Sequence, residues 1–301
     1  MKLTILGCHS ATPRVNTNPT SQVLEINNHI FLIDCGEGTQ VELRRNKVKF
    51  NRIKHIFISH LHGDHYFGLI GLISTFRLLT RETELHIYAP KGLKELITLQ
   101  MKLASSWTNY LLIFHELTSK ESELIFEDDT VEVHTIPLDH RIYTNGFLFK
   151  EKPGLRKLDI NAALNVDIDM AYFNKLKQGF DVVNEKGELI KNDTVTKDPV
   201  KPKSYAFCSD TAYNESVIDV IKGTTVLYHE STFLDKHEKL TKPTKHSTAK
   251  QAASIAKQAE VGTLVLGHFS TRYDNLNDFK IEAQTVFKNV ELAQDGKKFI
   301  F

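Results

Sequence analysis

The sequence predicts an α/β fold in which two β-sheets pack together with helices outside, an αββα sandwich, carrying one inserted segment. Three observations lead there. Strand-length apolar runs first come in pairs and then alternate with helix-period stretches, and this order occurs twice along 301 residues. One stretch, residues 150–203, breaks the pattern. Histidine, with 14 copies, gathers where apolar strands end.

Residues 2–7 (KLTILG) read as a short strand closing on glycine. Residues 21–26 and 29–34 are apolar runs separated by Asn27-Asn28, a tight-hairpin signal because asparagine tolerates positive φ. Beyond Asp34-Cys35-Gly36-Glu37-Gly38 the period turns helical through Val41, Leu43 and Arg44. Residues 55–59 form another short strand that runs into His60-Leu61-His62-Gly63-Asp64-His65, and one long helix is expected after it, with apolar residues from Phe67 to Leu79. Further strands are expected at 84–89, 131–137, 144–149, 204–209, 224–229 and 262–267, and helices at 90–104, 247–259 and 278–288.

Residues 150–203 are rich in Lys, Asp, Asn, Gly and Pro, with eleven basic and nine acidic residues. An irregular excursion of this length is uncommon inside a compact domain, so it reads as an insertion projecting from a single domain that spans 1–301.

Composition excludes several classes. With 41% hydrophobic and 25% charged residues the chain is an ordinary globular protein, and a net charge of +1 announces no nucleic-acid partner, so any basic footprint must be local. No run of ~18 apolar residues offers a membrane span. The N-terminus lacks the apolar core of a signal peptide. Cys8, Cys35 and Cys208 are few, odd in number and far apart, which argues against a disulfide framework and fits a reducing cytoplasm. The basic run Arg44, Arg45, Lys47, Lys49, Arg52 and Lys54 reads as a solvated face, and Trp107 and Tyr110 as core.

His60-x-His62-x-Asp64-His65 carries the chemistry. On an extended segment His60 and His62 point the same way, and Gly63 lets the chain bend so that Asp64 and His65 turn toward a second position. Four ligand-type side chains in six residues suit two adjacent cations, with zinc the natural occupant and iron or manganese chemically admissible. Further ligands must come from elsewhere. His140, Asp210 and His268 each follow an apolar strand, at the sheet edge where α/β folds build ligand sites. Taken alone each reads as a capping or surface residue; beside the first motif they read as ligands.

With these separations the set resembles the metallo-β-lactamase superfamily. The resemblance implies that His60, His62 and His140 hold one zinc, that Asp64, His65 and His268 hold the other, and that Asp210 bridges them. His62 stands where the flavodiiron relatives usually carry glutamate. Smaller pieces are similar to the ribonuclease Z family: Leu6-Gly7 through Ala11-Thr12-Pro13, Asp34-Cys35-Gly36-Glu37-Gly38-Thr39-Gln40, Ser59 through His65, His229-Glu230-Ser231-Thr232-Phe233, His246-Ser247-Thr248, and Gly267-His268-Phe269-Ser270 with Arg272-Tyr273.

That resemblance implies a zinc endoribonuclease that cuts precursor tRNA after the discriminator base and leaves a 3′-hydroxyl. Two zincs would activate a water and clamp the phosphate. Asp64 would orient that water and take its proton. His246, paired with Glu230, would protonate the leaving oxygen. His246 precedes a helix start at which Thr248 and Gln251 have capping-box spacing. Residues 150–203 correspond to the family's tRNA-clamping arm, which implies a homodimer; Leu176-Lys177-Gln178-Gly179 resembles part of it. The family's Gly-Pro pair near the arm tip is missing, and Val166-Asp167-Ile168-Asp169-Met170 stands there. Two other readings remain: a small-molecule phosphodiesterase or arylsulfatase-like esterase of the same fold, and a non-catalytic tRNA- or metal-binding protein.

Overall fold

Along the strand His29–Ile33, Phe31 and Ile33 face one apolar cluster while Ile30 and Leu32 face another. A strand buried on both sides belongs to a sheet covered on both faces. The computed structural model, which describes residues 1–12 and 14–301, bears this out with two seven-stranded sheets. Pro13, part of the opening motif, lies outside the described residues.

The first sheet runs in the order Lys298–Ile300, Lys2–Gly7, Ser21–Ile26, His29–Ile33, His55–Phe57, Leu85–Pro90, Leu112–Leu117. Its first four strands pair antiparallel, and pairing is parallel from His29–Ile33 onward. The expected hairpin is present, with Asn27 at φ 50°. The second sheet runs Val290–Leu292, Thr263–Gly267, Val226–Glu230, Ser204–Cys208, Asn145–Glu151, Val131–Pro137, Leu124–Glu127. Its first four strands are parallel.

Side chains from both sheets interdigitate in one core, as in the Phe31–Phe149 and Phe57–Phe147 contacts, each 5.3 Å between ring centroids. Outside the first sheet, Leu69, Leu72, Phe76 and Ile97 from the helices Leu69–Leu78 and Leu93–Leu103 cover Val23, Leu32, Ile56 and Ile87. Against the second sheet lies Ala249–Gln258, whose alanines are buried and whose capping box forms both of its hydrogen bonds.

Several expectations need correcting. No single long helix follows His65. A four-residue turn of helix, Gly63–Tyr66, takes in Asp64 and His65 from the second half of the motif, and Leu69–Leu78 follows it. The break falls at Gly68, whose N–H donates to the Cys35 carbonyl (2.9 Å) rather than up the helix. A Cβ there would meet the Gly36 carbonyl oxygen at 2.2 Å. Phe67 is consequently exposed, as are Leu78 and Leu79 at the far end. Trp107 is also exposed, at 52%, whereas Tyr110 is buried and donates to the Ile73 carbonyl. The six basic residues between Arg44 and Lys54 are all exposed, as expected.

The described residues divide into two compact units, residues 1–150 with 203–301, and Glu151–Pro202. The smaller unit has its own core of Ala163, Ile168, Leu176, Val182 and Val195, with two two-stranded sheets. Val166–Met170 is an ordered turn within it: Ile168 is buried, Asp167 takes φ 57° and pairs with Lys186, and Asp169 caps the next helical turn.

Candidate metal centre

Five of the seven expected metal ligands (His60, His62, His140, Asp210 and His268) stand in the loops after strands, and Asp64 and His65 lie in the helical turn Gly63–Tyr66 that follows His55–Phe57. At two of these strand ends the chain bends through left-handed backbone that side-chain-bearing residues seldom adopt: Asp210 at φ 53° and His268 at φ 57°. The bend turns each side chain back over the sheet edge.

All seven meet in two groups that share Asp210. In the first, His62 Nδ1 lies 2.9 Å from His60 Nε2 and 3.3 Å from His140 Nε2, and Asp210 Oδ2 lies 3.6 and 3.8 Å from the His60 and His140 nitrogens. In the second, His65 Nε2 lies 3.4 Å from Asp64 Oδ2 and 3.2 Å from Asp210 Oδ1, and His268 Nε2 lies 3.7 and 3.1 Å from the same two oxygens. Ligands ~2.0–2.1 Å from a tetrahedral cation stand ~3.3 Å apart, so both groups have the spacing of a coordination shell.

The outer hydrogen bonds decide which way the lone pairs point. His65 Nδ1 donates to Asp34 Oδ2 (2.7 Å), and His140 Nδ1 donates to the Lys245 carbonyl (2.9 Å). The Ser59 hydroxyl donates to Asp34 and so accepts from His60 Nδ1 (3.0 Å). The Thr232 hydroxyl donates to Glu230 and so accepts from His268 Nδ1 (2.9 Å). Each donation fixes the tautomer that leaves Nε2 as a bare acceptor aimed inward. The buried Nε2 atoms of His65 and His268 make no well-formed hydrogen bond, although Asp210 Oδ1 stands 3.2 and 3.1 Å from them, and leaving such atoms without one is costly. A cation satisfies them, and on that ground the residues fit one.

Electrostatics agree. Burial lowers His60, His62 and His140 and keeps them neutral, as ligands must be. Burial would also lower His65, but Asp210, Asp64 and Asp34 around it raise it well above its ordinary value. The second group therefore holds positive charge favourably.

Glu230 and His246 stand beside these groups. Glu230 is fully buried and accepts from Thr211 N, Thr232 N and the Thr232 hydroxyl (2.8, 3.1 and 2.6 Å) as well as from His246 Nδ1 at 2.7 Å. Burial works against the charge on both, yet their attraction prevails, holding Glu230 down at about 2 and pushing His246 up to about 9. Asp64 Oδ2 accepts from the backbone N–H of Ala11 (2.9 Å).

Every ligand candidate expected from the sequence lies at this place, whereas the roles of Asp34, Ser59 and Thr232 emerge only from their contacts. Asp34 takes φ 55° at a strand end and accepts from Ser59 N, Ser59 Oγ and His65. Its one sequence signal is a carboxylate directly after an apolar strand.

A family model described as Anti-Pycsar protein Apyc1 matches residues 1–198. Ribonuclease Z of Bacteroides thetaiotaomicron is 45% identical over 295 residues, covering 98% of this chain and 93% of the relative. Human tRNase Z, short form, superimposes with a TM-score of 0.73 at 27% identity, covering 100% and 99% of the two chains. The metallo-β-lactamase fold protein YhfI of Bacillus subtilis does so with a TM-score of 0.69 at 17% identity, covering 99% and 98%, and bears on the fold alone. The chain thus has the metallo-β-lactamase fold, with clusters of His and Asp able to bind metal ions.

Proposed function

Because the chain belongs to the ribonuclease Z family and, over residues 1–198, to the family described as Anti-Pycsar protein Apyc1, we propose that it removes 3′ trailers from precursor tRNA as a zinc-dependent endoribonuclease. The observation that carries this is the pair of ligand-spaced groups sharing Asp210, with a buried carboxylate–imidazolium pair beside them. His60, His62 and His140 would hold one zinc, Asp64, His65 and His268 the other, and Asp210 would serve both. When bound, the two cations supply an activated water and neutralise charge at phosphorus.

The remaining work falls to the chain. Asp64, steadied by the Ala11 N–H, orients the attacking water and accepts its proton. Asp34, Ser59 and Thr232 hold the imidazoles in register. His246 carries a proton because Glu230 stabilises its charged form, and it delivers that proton to the leaving 3′-oxygen. The phosphate stays on the trailer and the tRNA keeps a 3′-hydroxyl.

The unit Glu151–Pro202 is read as the tRNA-binding arm. Its own fold and core support a dedicated role. Its nine basic and nine acidic residues balance, so contact with phosphates would rest on local clusters such as Lys175, Lys186 and Lys191, all exposed. A homodimer in the cytoplasm completes the proposal. Three free, buried cysteines support the reducing compartment, and among the described residues no helix is long and apolar enough to cross a membrane.

The discriminating experiment compares kcat/KM on a 3′-extended precursor tRNA with that on a small phosphodiester such as bis(p-nitrophenyl) phosphate. A large preference for the precursor is expected. Hydrolysis of the small diester with an untouched precursor would move the substrate to the small-molecule alternative.

A further inference from the structure

The closing strand Lys298–Ile300 pairs with Lys2–Gly7 and brings the two ends of the chain together. The turn before it carries Asp295 to the side of Cys8 and His9, the residues that follow the first strand. Cys8 Sγ lies 3.4 Å from Asp295 Oδ1 and 3.8 Å from His9 Nδ1, and that nitrogen is 4.0 Å from the same oxygen. Three donors around a tetrahedral zinc, with Zn–S ~2.3 Å and Zn–N or Zn–O ~2.0–2.1 Å, stand ~3.4–3.6 Å apart. Cys8 and Asp295 already stand at that spacing; the thiol–imidazole separation needs to shorten by roughly 0.2 Å and the imidazole–carboxylate separation by roughly 0.6 Å.

Asp295 is already fixed for such a role. Its Oδ2 accepts from the backbone N–H and the side-chain amide of Asn18 (2.7 and 3.0 Å), which leaves Oδ1 facing the thiol and the imidazole. Cys8 is fully buried, while His9 and Asp295 line a cavity of about 650 Å³ through which a cation and a fourth ligand, water, have access. None of the three residues belongs to the groups around Asp210.

We infer that Cys8, His9 and Asp295 form a further cation site, suited to a borderline-soft divalent ion such as zinc and separate from the histidine-rich centre. The sulfur donor selects against magnesium and calcium. On binding, the Cys8 S–H bond breaks, the Sγ–metal bond forms and the proton leaves to solvent. The ion ties the opening loop to the final turn. That loop also carries Ala11, whose N–H steadies Asp64, so an ion here stiffens one wall of the centre.

The test is titration of the metal-stripped full-length protein with cobalt(II) chloride, read by absorbance. Thiolate-to-cobalt charge transfer gives a near-ultraviolet band that histidine and carboxylate ligands do not produce, and the ligand candidates around Asp210 include no cysteine. The expected result is a band whose limiting intensity corresponds to one thiolate-bound cobalt per chain, whatever cobalt the histidine centre also takes up. It is lost in Cys8→Ser, and in Asp295→Asn, which keeps the side chain's shape, cobalt binds at least tenfold more weakly. Circular dichroism checks that both variants are folded. Visible cobalt bands from the histidine centre without any near-ultraviolet band in the wild-type protein would overturn the inference, and that outcome needs no variant. So would a band that survives Cys8→Ser, because it would then come from Cys35 or Cys208.

Discussion

Replacing Glu230 by glutamine keeps the shape of the side chain and removes its charge. Glu230 overcomes burial to lift His246 from 6.5 to about 9, a shift worth about 3 kcal/mol at ~1.4 kcal/mol per pH unit. Solvent does little to screen it, since the Glu230 side chain is 0% and that of His246 11% exposed. Without the charge, His246 falls to its ordinary range or below, and at pH 7.5 about nine in ten molecules or more lose the proton it has to give. General acid catalysis contributes ~10²–10⁴-fold, so kcat on precursor tRNA should drop about 10²-fold with KM little changed. The new amide also opposes one of the donors from Thr211 or Thr232, at about 1–3 kcal/mol of stability. Single-turnover cleavage of end-labelled precursor reads the rate. Because the two residues act as one unit, Glu230→Gln with His246→Ala should be no slower than His246→Ala alone. A Glu230→Gln enzyme within threefold of wild type, or a double variant whose losses multiply, would refute the pairing.

Other outcomes follow from the same structure. Replacing Glu151–Pro202 by a short linker should raise KM for precursor tRNA at least tenfold and leave hydrolysis of a small phosphodiester unchanged; equal effects on both would deny the unit its binding role. Thr248→Ala removes the side-chain half of the capping box and should cost about 1 kcal/mol in urea unfolding. His55 sits among His29, His86, His115 and Lys54, and burial, then these neighbours, lower it from 6.5 to about 3. Its unfolded form therefore binds a proton first: stability is intact above pH 6.5 and is lost as pH falls from there toward 3. At pH 5 the loss should be about 1–2 kcal/mol, and His55→Leu should flatten the profile, with Asp128 still held by His29.

The centre was legible because its donors crowd one short motif and then recur at strand ends, where polar residues interrupt apolar runs. The tight hairpin and the capping box were legible for the same reason, being local. What escaped depends on contacts far along the chain. Gly68 breaks a helix only because Gly36 packs against it. Asp34 acts on His65 only once two strands lie side by side. The edge strand Leu124–Glu127 is half-exposed, and Val290–Leu292 and Lys298–Ile300 have three residues each, too few for a period to show. Trp107 looks like core by composition, yet it follows the helix Leu93–Leu103 into a loop that leaves it in solvent.

The central claim is that water activated between the two ligand groups cuts precursor tRNA at one bond. It is tested most directly by mapping both product termini after the zinc-loaded protein, and in parallel its Asp64→Ala variant, act on a 3′-extended precursor. The account predicts one cut after the discriminator base, with a 3′-hydroxyl on the tRNA and a 5′-phosphate on the trailer, and none with the variant. Scattered cuts, a phosphate left on the tRNA, or an Asp64→Ala protein as active as wild type would contradict it.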